Sequence, residues 1–266
     1  MTKPAVMLQV LNTRPLPQGK VLANKLILAG YHVISQPMFK LQANTDSAEI
    51  NQLLDFCKAN IFIFVSVAAV EFAQQAKALS TWQTAQQSIF IAVGQRTKAA
   101  LLNCGINKVV TPRQENSEGV LALVELSSVA EQAIVIVRGD QGRELLAQQL
   151  TERQAKVYYL SSYIKNWQPI IGDELAAQWH KQAITCIVIT SVALLKNTVK
   201  LLTTCLDKNI EQLNCYWLVA SERIAVCAKK RNIKNIIIAD GASDLAILSA
   251  ITDLKKQLSG QNDDNE

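Results

Sequence analysis

One strand–turn–helix pattern occurs twice in this chain, and the second copy follows the first in order at nearly constant spacing. Arg14, in Asn12-Thr13-Arg14-Pro15, is matched by Arg138, in Val137-Arg138-Gly139, an offset of 138 − 14 = 124. Leu22 and Leu146, Leu26 and Leu150, and Val33 and Val157 share that offset. Phe64-Val65-Ser66-Val67 matches Ile189-Thr190-Ser191-Val192, with 191 − 66 = 125. Ala92-Val93-Gly94-Gln95-Arg96 matches Val219-Ala220-Ser221-Glu222-Arg223, with 221 − 94 = 127. Cys104-Gly105-Ile106-Asn107-Lys108 matches Arg231-Asn232-Ile233-Lys234-Asn235, and Ser117-Glu118 matches Ser243-Asp244, with 243 − 117 = 126. Chance can supply one such match between α/β units, but not an ordered series. The chain is therefore constrained to an internal duplication, with the repeats dividing near Val129.

The repeated pattern alternates short apolar runs with amphipathic helices. Ala5–Leu11 opens as a strand, Gln18–Ala29 is a helix with Val21, Leu22 and Leu26 on one face, and Gly30 stops it. Further runs at Tyr31–Ile34, Ile61–Val65, Ile89–Val93, Lys108–Thr111, Ile134–Val137, Lys156–Leu160, Cys186–Ile189, Trp217–Val219 and Asn235–Ala239 are continuous rather than alternating. That pattern predicts parallel strands covered on both faces, hence an α/β class. A length of 266 residues suggests two domains.

Composition excludes several functions. Hydrophobic residues make up 49% of the chain, which is ample for cores, yet no apolar run reaches the ~18–20 residues of a membrane span. No basic segment, long apolar stretch and cleavage site stand in series at the N-terminus, so cytoplasm is the expected compartment. Two histidines, His32 and His180, lie outside any metal-ligand spacing, and none of the six cysteines forms a CxxC pair. The cysteines read as small buried hydrophobes. Without a GxSxG elbow, a Walker loop or a GxGxxG after a strand, no cofactor is expected. The net charge of +5 is spread along the chain apart from a short cluster at Lys229–Arg231, which argues against nucleic acid and suits a small polyanion.

The remaining chemistry lies in the strand-to-helix turns, because ligands of open parallel sheets bind outside the carboxyl ends of the strands. These turns carry Arg14, Ser66, Gly94, Gln95, Thr97, Arg138, Gly139, Thr190, Ser191, Ser221, Glu222 and Arg223. Backbone N–H groups at helix N-termini, with hydroxyls beside them, suit carboxylates or phosphates. Ser66, Thr97, Ser191 and Ser221 read first as ordinary N-caps, a role that does not exclude binding, and Ser117 and Ser243 as caps with an acid in the first turn. The arginines read as solvated or as ligand-binding. Tyr163, whose offset partner is Phe39, reads as a packing residue or a functional one.

The ordered set of Asn12-Thr13-Arg14-Pro15, Ile63-Phe64-Val65-Ser66, Ala92-Val93-Gly94-Gln95-Arg96-Thr97, Thr111-Pro112, Ser117-Glu118-Gly119, Val137-Arg138-Gly139, Gly142-Arg143-Glu144, Tyr163, Val188-Ile189-Thr190-Ser191 and Val219-Ala220-Ser221-Glu222-Arg223 resembles the bacterial uroporphyrinogen-III synthase family. The resemblance covers Leu8 to about Ile251. It implies two flavodoxin-like, HemD-like parallel-sheet α/β domains joined by a two-stranded linker, with the active site in the cleft between them. Residues 1–36 with 168–258 would form a discontinuous first domain, 37–167 the second, with linker segments near 36–40 and 162–167 and a disordered tail at 259–266. It also implies a cofactor-free lyase that cyclises hydroxymethylbilane, with inversion of the last pyrrole ring, to uroporphyrinogen III and water. Tyr163 would assist departure of the terminal hydroxyl, and the turn residues named above would hold the substrate. Thr97 stands at the family's Gly-x-x-Thr threonine. The second such turn is altered to Ser221-Glu222-Arg223-Ile224, where Arg223 replaces the missing hydroxyl. A monomer, and a transient hand-over of substrate from hydroxymethylbilane synthase, are further implications. The rival expectation is a bilobed cytoplasmic binding protein or sensor for an anionic metabolite.

Overall fold

The apolar runs form strands that pair in parallel. In this computed structural model residues 7–82, 88–142, 144–203 and 215–260 are described. The strands are β1 (Gln9–Asn12), β2 (His32–Ser35), β3 (Phe39–Ala43), β4 (Ile61–Phe64), β5 (Ile89–Ala92), β6 (Val109–Val110), β7 (Ala133–Gly139), β8 (Lys156–Trp167), β9 (Cys186–Ile189), β10 (Tyr216–Val219) and β11 (Ile236–Ile238). The helices are α1 (Gln18–Leu28), α2 (Ser47–Cys57), α3 (Val67–Ala76), α4 (Gln95–Asn103), α5 (Ser117–Leu121), α6 (Leu145–Glu152), α7 (Gly172–Lys181), α8 (Val192–Thr203), α9 (Glu222–Lys229) and α10 (Asp244–Gly260). The class is α/β, as the unbroken apolar runs predict: every residue of β4 and of β9 is buried.

The chain divides into two compact units, Met1–Lys40 with Trp167–Glu266, and Leu41–Asn166. In the first, the sheet order is β11-β10-β9-β1-β2, with parallel pairing throughout. Numbered by chain order within the unit, the order β2-β1-β9-β10-β11 is 2-1-3-4-5, the doubly wound flavodoxin-like order. In the second unit β8-β7-β4-β5-β6 run parallel, with β3 beside β8. Sequence-matched strands thus take the same places in the two sheets: β1 and β7, β9 and β4, β10 and β5.

Each sheet is packed on a helix-covered core. In the first unit Leu22 and Leu26 of α1 meet Val10, Val188 and Leu218. In the second, one face of the sheet builds on Phe62, Phe64, Phe90 and Trp82, with Phe62 stacked on Phe90 and edge-on to Trp82, and the other on Ile61, Ile63, Ile91 and Leu146. Burying each large side chain contributes about 1.5–3 kcal/mol.

Several local expectations need correction. Val21 is 45% exposed, so the buried stripe of α1 is carried by Leu22, Ala23 and Leu26, with Gly19 at its start. The cap of α5 is Asn116, whose side chain accepts the Gly119 N–H, and not Ser117. Asn116 has the extended backbone that a cap requires, whereas Ser117 is already helical. Thr97 is no cap either: Gly94 takes that position, and Thr97 is buried one turn inside α4. Ser221 has cap geometry, but its hydroxyl makes no capping bond. Helix α10 runs to Gly260, so Ser259 and Gly260 are helical. The rest of the expected tail, Ala5 and Val6 of the expected first strand, Arg143 and Cys205 lie outside the described residues.

Candidate functional site

In a 2-1-3-4-5 sheet the chain reverses its winding between the first and third strands, and the crevice opens outside their carboxyl ends. In the second unit the parallel strands β6-β5-β4-β7-β8 read 3-2-1-4-5 in chain order, and the reversal falls between β4 and β7, which pair directly. Their ends carry Arg138-Gly139-Asp140 and Ser66-Val67, and β8 brings Tyr163 beside them.

Tyr163 reaches this position through a bulge. Arg138 pairs with Ser161, but Gly139 pairs with Tyr163, so one residue of β8 is skipped. Side chains alternate along a strand. Tyr158 and Leu160 face the core that α3 covers, so regular alternation would send Ser162 there and Tyr163 to the other face. The skipped residue reverses the parity, and Tyr163 joins Tyr158 and Leu160 on the α3 side. Ser162, fully buried, holds the bulge: its hydroxyl lies 3.3 Å from both the Ala69 and the Arg138 carbonyl oxygens.

The Tyr163 ring stacks on Phe72 of α3, with centroids 5.6 Å apart, and its hydroxyl lies 3.4 Å from the Ser66 Oγ. Ser66 also caps α3, accepting the Ala69 N–H at 3.1 Å. The phenol is therefore half-buried at the positive end of a helix. The Asp140 N–H donates to the Tyr163 carbonyl at 2.9 Å, which ties the turn after β7 to the same residue.

Arg138 points into a second network. The residue is 7% exposed; its guanidinium donates to Glu144 Oε1 at 3.0 Å and lies over the Tyr159 ring at 4.7 Å. The Tyr159 hydroxyl bonds to the other Glu144 oxygen. The Tyr159 hydrogen bond and the Arg138 pairing hold the Glu144 carboxyl below its ordinary range against the opposing effect of burial. Burial and the Glu144 bond push the Tyr159 phenol up. On β8, burial pushes the Lys165 ammonium down, opposed by the attraction of Asp140 and reinforced by Arg138.

The Gly94-Gln95 turn opens α4, and a carboxylate already sits on it: Gln95 N–H donates to Glu115 Oε1 at 3.1 Å. Gly94 has extended φ, so what a side chain there meets is the Glu115 carboxyl group rather than backbone strain.

In the first unit the corresponding strands are β1 and β9. Thr13 donates to the Val188 carbonyl, and Asn12 Nδ2 donates to the Gly19 carbonyl at 2.7 Å. Arg14 is buried and donates to Asp244 Oδ1 at 2.8 Å, while Lys25 donates to Asp244 Oδ2 at 2.9 Å. Burial raises the Asp244 pKa, but the bonds and charges of Lys25 and Arg14 outweigh it and hold the carboxyl below its ordinary value. Neither arginine is solvated, as one sequence reading had it: both are buried and ion-paired. Ser191 caps α8 through Leu194 N–H at 3.1 Å, with Thr190 beside it. Glu222 and Arg223 are exposed on the first turn of α9.

The fold therefore brings Ser66, Gly139 and Tyr163 together in one unit, and Arg14, Thr190 and Ser191 onto adjacent strand ends in the other. Sequence reasoning missed Phe72, Ser162, Glu115, Asp244, Tyr159, Glu144 and Lys165 as neighbours of these turns. Lys165 alone had a signal, since it follows Tyr163 by two positions on one strand. Among the described residues no group of three or more His, Cys, Asp or Glu side chains is placed to hold a metal ion, and no helix is long and apolar enough to cross a membrane.

These features define a two-unit parallel α/β protein whose strand-end turns gather hydroxyl and N–H donors around a tyrosine. A family model described as uroporphyrinogen-III synthase HemD matches residues 20–248. Over 248 residues the chain is 32% identical to a uroporphyrinogen-III synthase of Salmonella typhimurium, covering 92% of this chain and 100% of the relative. Over 246 residues it is 29% identical to that of Escherichia coli, with 92% and 100% covered. A mutant uroporphyrinogen III synthase of Thermus thermophilus has the same fold, with a TM-score of 0.65 at 12% identity over 95% of this chain and 99% of that one. The Helicobacter pylori uroporphyrinogen-III synthetase matches with a TM-score of 0.61 at 14% identity, over 94% and 100%. The chain belongs to the uroporphyrinogen-III synthase family, and is thereby an enzyme of porphyrin biosynthesis.

Proposed function

We propose that this enzyme is a lyase that converts hydroxymethylbilane to uroporphyrinogen III and water, without a cofactor. The placement of Tyr163 carries the reading. Its hydroxyl stands at the β4–β7 switch point, at the N-terminus of α3 and beside a second hydroxyl. There it donates a hydrogen bond to the terminal hydroxyl of the substrate as the carbon–oxygen bond breaks. The pyrrole nitrogen lone pair supplies the electrons, leaving an azafulvene. The substituted carbon of the last ring then attacks, and the spiro intermediate fragments and recloses inverted.

The substrate carries eight carboxylates, an acetate and a propionate on each of four rings. The turns suited to them are Gly94-Gln95 with Thr97, Arg138-Gly139, Thr190-Ser191 and Ser221-Glu222-Arg223, with Arg14 and Ser66. Free N–H groups at helix N-termini favour such anions. Segments 36–40 and 162–167 serve as the connectors between domains in this reading. Most of the enzyme's work is orientation, so that inversion outruns simple closure. Family membership disfavours the binding-protein alternative.

The test is to incubate purified protein with freshly made hydroxymethylbilane and separate isomers I and III. Isomer III in excess supports the reading. Isomer I alone, at the spontaneous rate, ends it.

A further inference from the structure

We propose that Gly139 is a positioning residue, whose missing side chain seats the Tyr163 ring and so aims its hydroxyl. This rests on the reading that Tyr163 assists the reaction. It moves Gly139 from substrate contact to a role exerted through another residue.

A Cβ added at Gly139 would lie 2.7 Å from Tyr163 Cε2, 2.8 Å from Cζ and 3.2 Å from the hydroxyl oxygen. Carbon atoms pack at about 3.5–4.0 Å. Alanine therefore displaces the ring by roughly 1 Å, and these atoms belong to a ring that has little room to yield. Phe72 stacks against it at 5.6 Å, and the Asp140 N–H bond fixes its backbone. Ser162 fixes the bulge immediately before it. The 3.4 Å contact with Ser66 is already long for a hydroxyl pair, so a shift of this size breaks it.

The backbone at Gly139 belongs to β7 and is paired with Tyr163 itself. No left-handed conformation calls for glycine there. The close approach of the ring is what excludes a side chain, and that ties the glycine to Tyr163 rather than to the turn.

A double-mutant cycle decides the matter. Gly139→Ala, Tyr163→Phe and the double variant are compared for kcat and KM of isomer III formation and for Tm. A ring pushed off target costs the hydroxyl's contribution and nothing more. Gly139→Ala is therefore expected to lower kcat by up to the factor that Tyr163→Phe loses, with KM little changed. The double variant is expected to fall no further than Tyr163→Phe alone. The phenylalanine ring keeps the clashing carbons, so Tm falls in both backgrounds either way; a purely structural role differs in making the kinetic losses multiply. Multiplying losses, or Gly139→Ala with wild-type kcat, overturn the inference while leaving the role of Tyr163 standing. Tyr163→Phe with wild-type activity removes that role and this inference with it. Should Gly139→Ala fail to fold, Phe72→Leu frees the ring on its other face and must show the same non-additivity with Tyr163→Phe.

Discussion

Replacing Asp244 by asparagine tests the buried cluster that closes the first unit. Asp244 and Arg14 side chains are each 8% exposed and bonded at 2.8 Å, whereas Lys25, bonded at 2.9 Å, is 43% exposed. The two limbs therefore differ in weight. Breaking a buried pair costs about 3–5 kcal/mol, because the surviving charge stays desolvated. The Lys25 limb is screened by water and adds about 0.2–1 kcal/mol at most. Asparagine keeps one neutral acceptor for Arg14, which returns about 1 kcal/mol. The expected loss is about 3 kcal/mol, or a fall in Tm of roughly 6–12 °C for a unit of this size.

Urea unfolding followed by tryptophan fluorescence is the assay, since Trp167, Trp179 and Trp217 lie in the first unit and only Trp82 in the second. The pH dependence supplies the sharper check. In the folded protein the Asp244 carboxyl titrates below its ordinary value of 3.8, the Lys25 and Arg14 interactions outweighing burial. Its contribution is then fully present above the unfolded-state value and is lost as pH falls through the folded-state value. The gap between wild type and Asp244→Asn should be constant at neutral pH, narrow below pH 3.8 and close in stronger acid. Replacing both partners, Arg14→Met with Asp244→Leu, should recover most of the loss, because no charge is left stranded. A loss under about 1 kcal/mol, or a gap that persists in acid, refutes the assignment of this stability to a buried charge pair.

Glu115→Gln removes the carboxylate that sits on the Gly94-Gln95 turn. If that turn receives a substrate carboxylate, the KM for hydroxymethylbilane should fall roughly five-fold, the equivalent of ~1 kcal/mol of released competition, with a small drop in Tm; a raised KM contradicts the competition. The thiols of Cys186 and Cys215 are pushed up to about 12, by burial above all. At pH 8 they should stay unlabelled by a disulfide reagent until the protein unfolds, with Cys104 and Cys227, both half-buried, reacting ahead of them; labelling of either buried thiol at the rate of a free thiol shows that burial is misjudged.

The strands were legible because burial on both faces leaves a continuous apolar run, as at Ile61–Phe64 and Cys186–Ile189, and the helices because Leu22 and Leu26, or Leu146 and Leu150, return every four residues. Cap identity was less legible where two capable residues stand side by side. Asn116 and Ser117 differ only in which one has left the helix, and the chain's path decides that. The charge partners were not legible at all. Asp244 lies 230 positions from Arg14, and no local pattern reports a contact of that kind. Nor does alternation foretell the skipped residue in β8, so the face that Tyr163 occupies was not legible. Thr97 misled because the sequence reports a hydroxyl near a helix start, while its burial inside the first turn of α4 follows from where the helix begins.

The two matched arginines show what the halves share and what they do not. Arg14 and Arg138 end equivalent strands, beside the matched strands β9 and β4, and each is 7% exposed. The carboxylates bonded to them at 2.8 and 3.0 Å, Asp244 and Glu144, are not at matched positions. Asp244 corresponds to Glu118 (244 − 126 = 118), and Glu144 to Lys20 (144 − 124 = 20), which has the wrong charge to serve Arg14. The shared element is thus a guanidinium buried beneath a strand-end turn, and each unit offsets its desolvation differently. The first uses a nearly buried carboxylate bridged to Lys25. The second uses a carboxylate 54% exposed, backed by the face of Tyr159. Water screens the Arg138–Glu144 pair more strongly, so that pair contributes less to stability. If the arginines act on substrate, the Arg138–Glu144 pair is the less costly of the two to open.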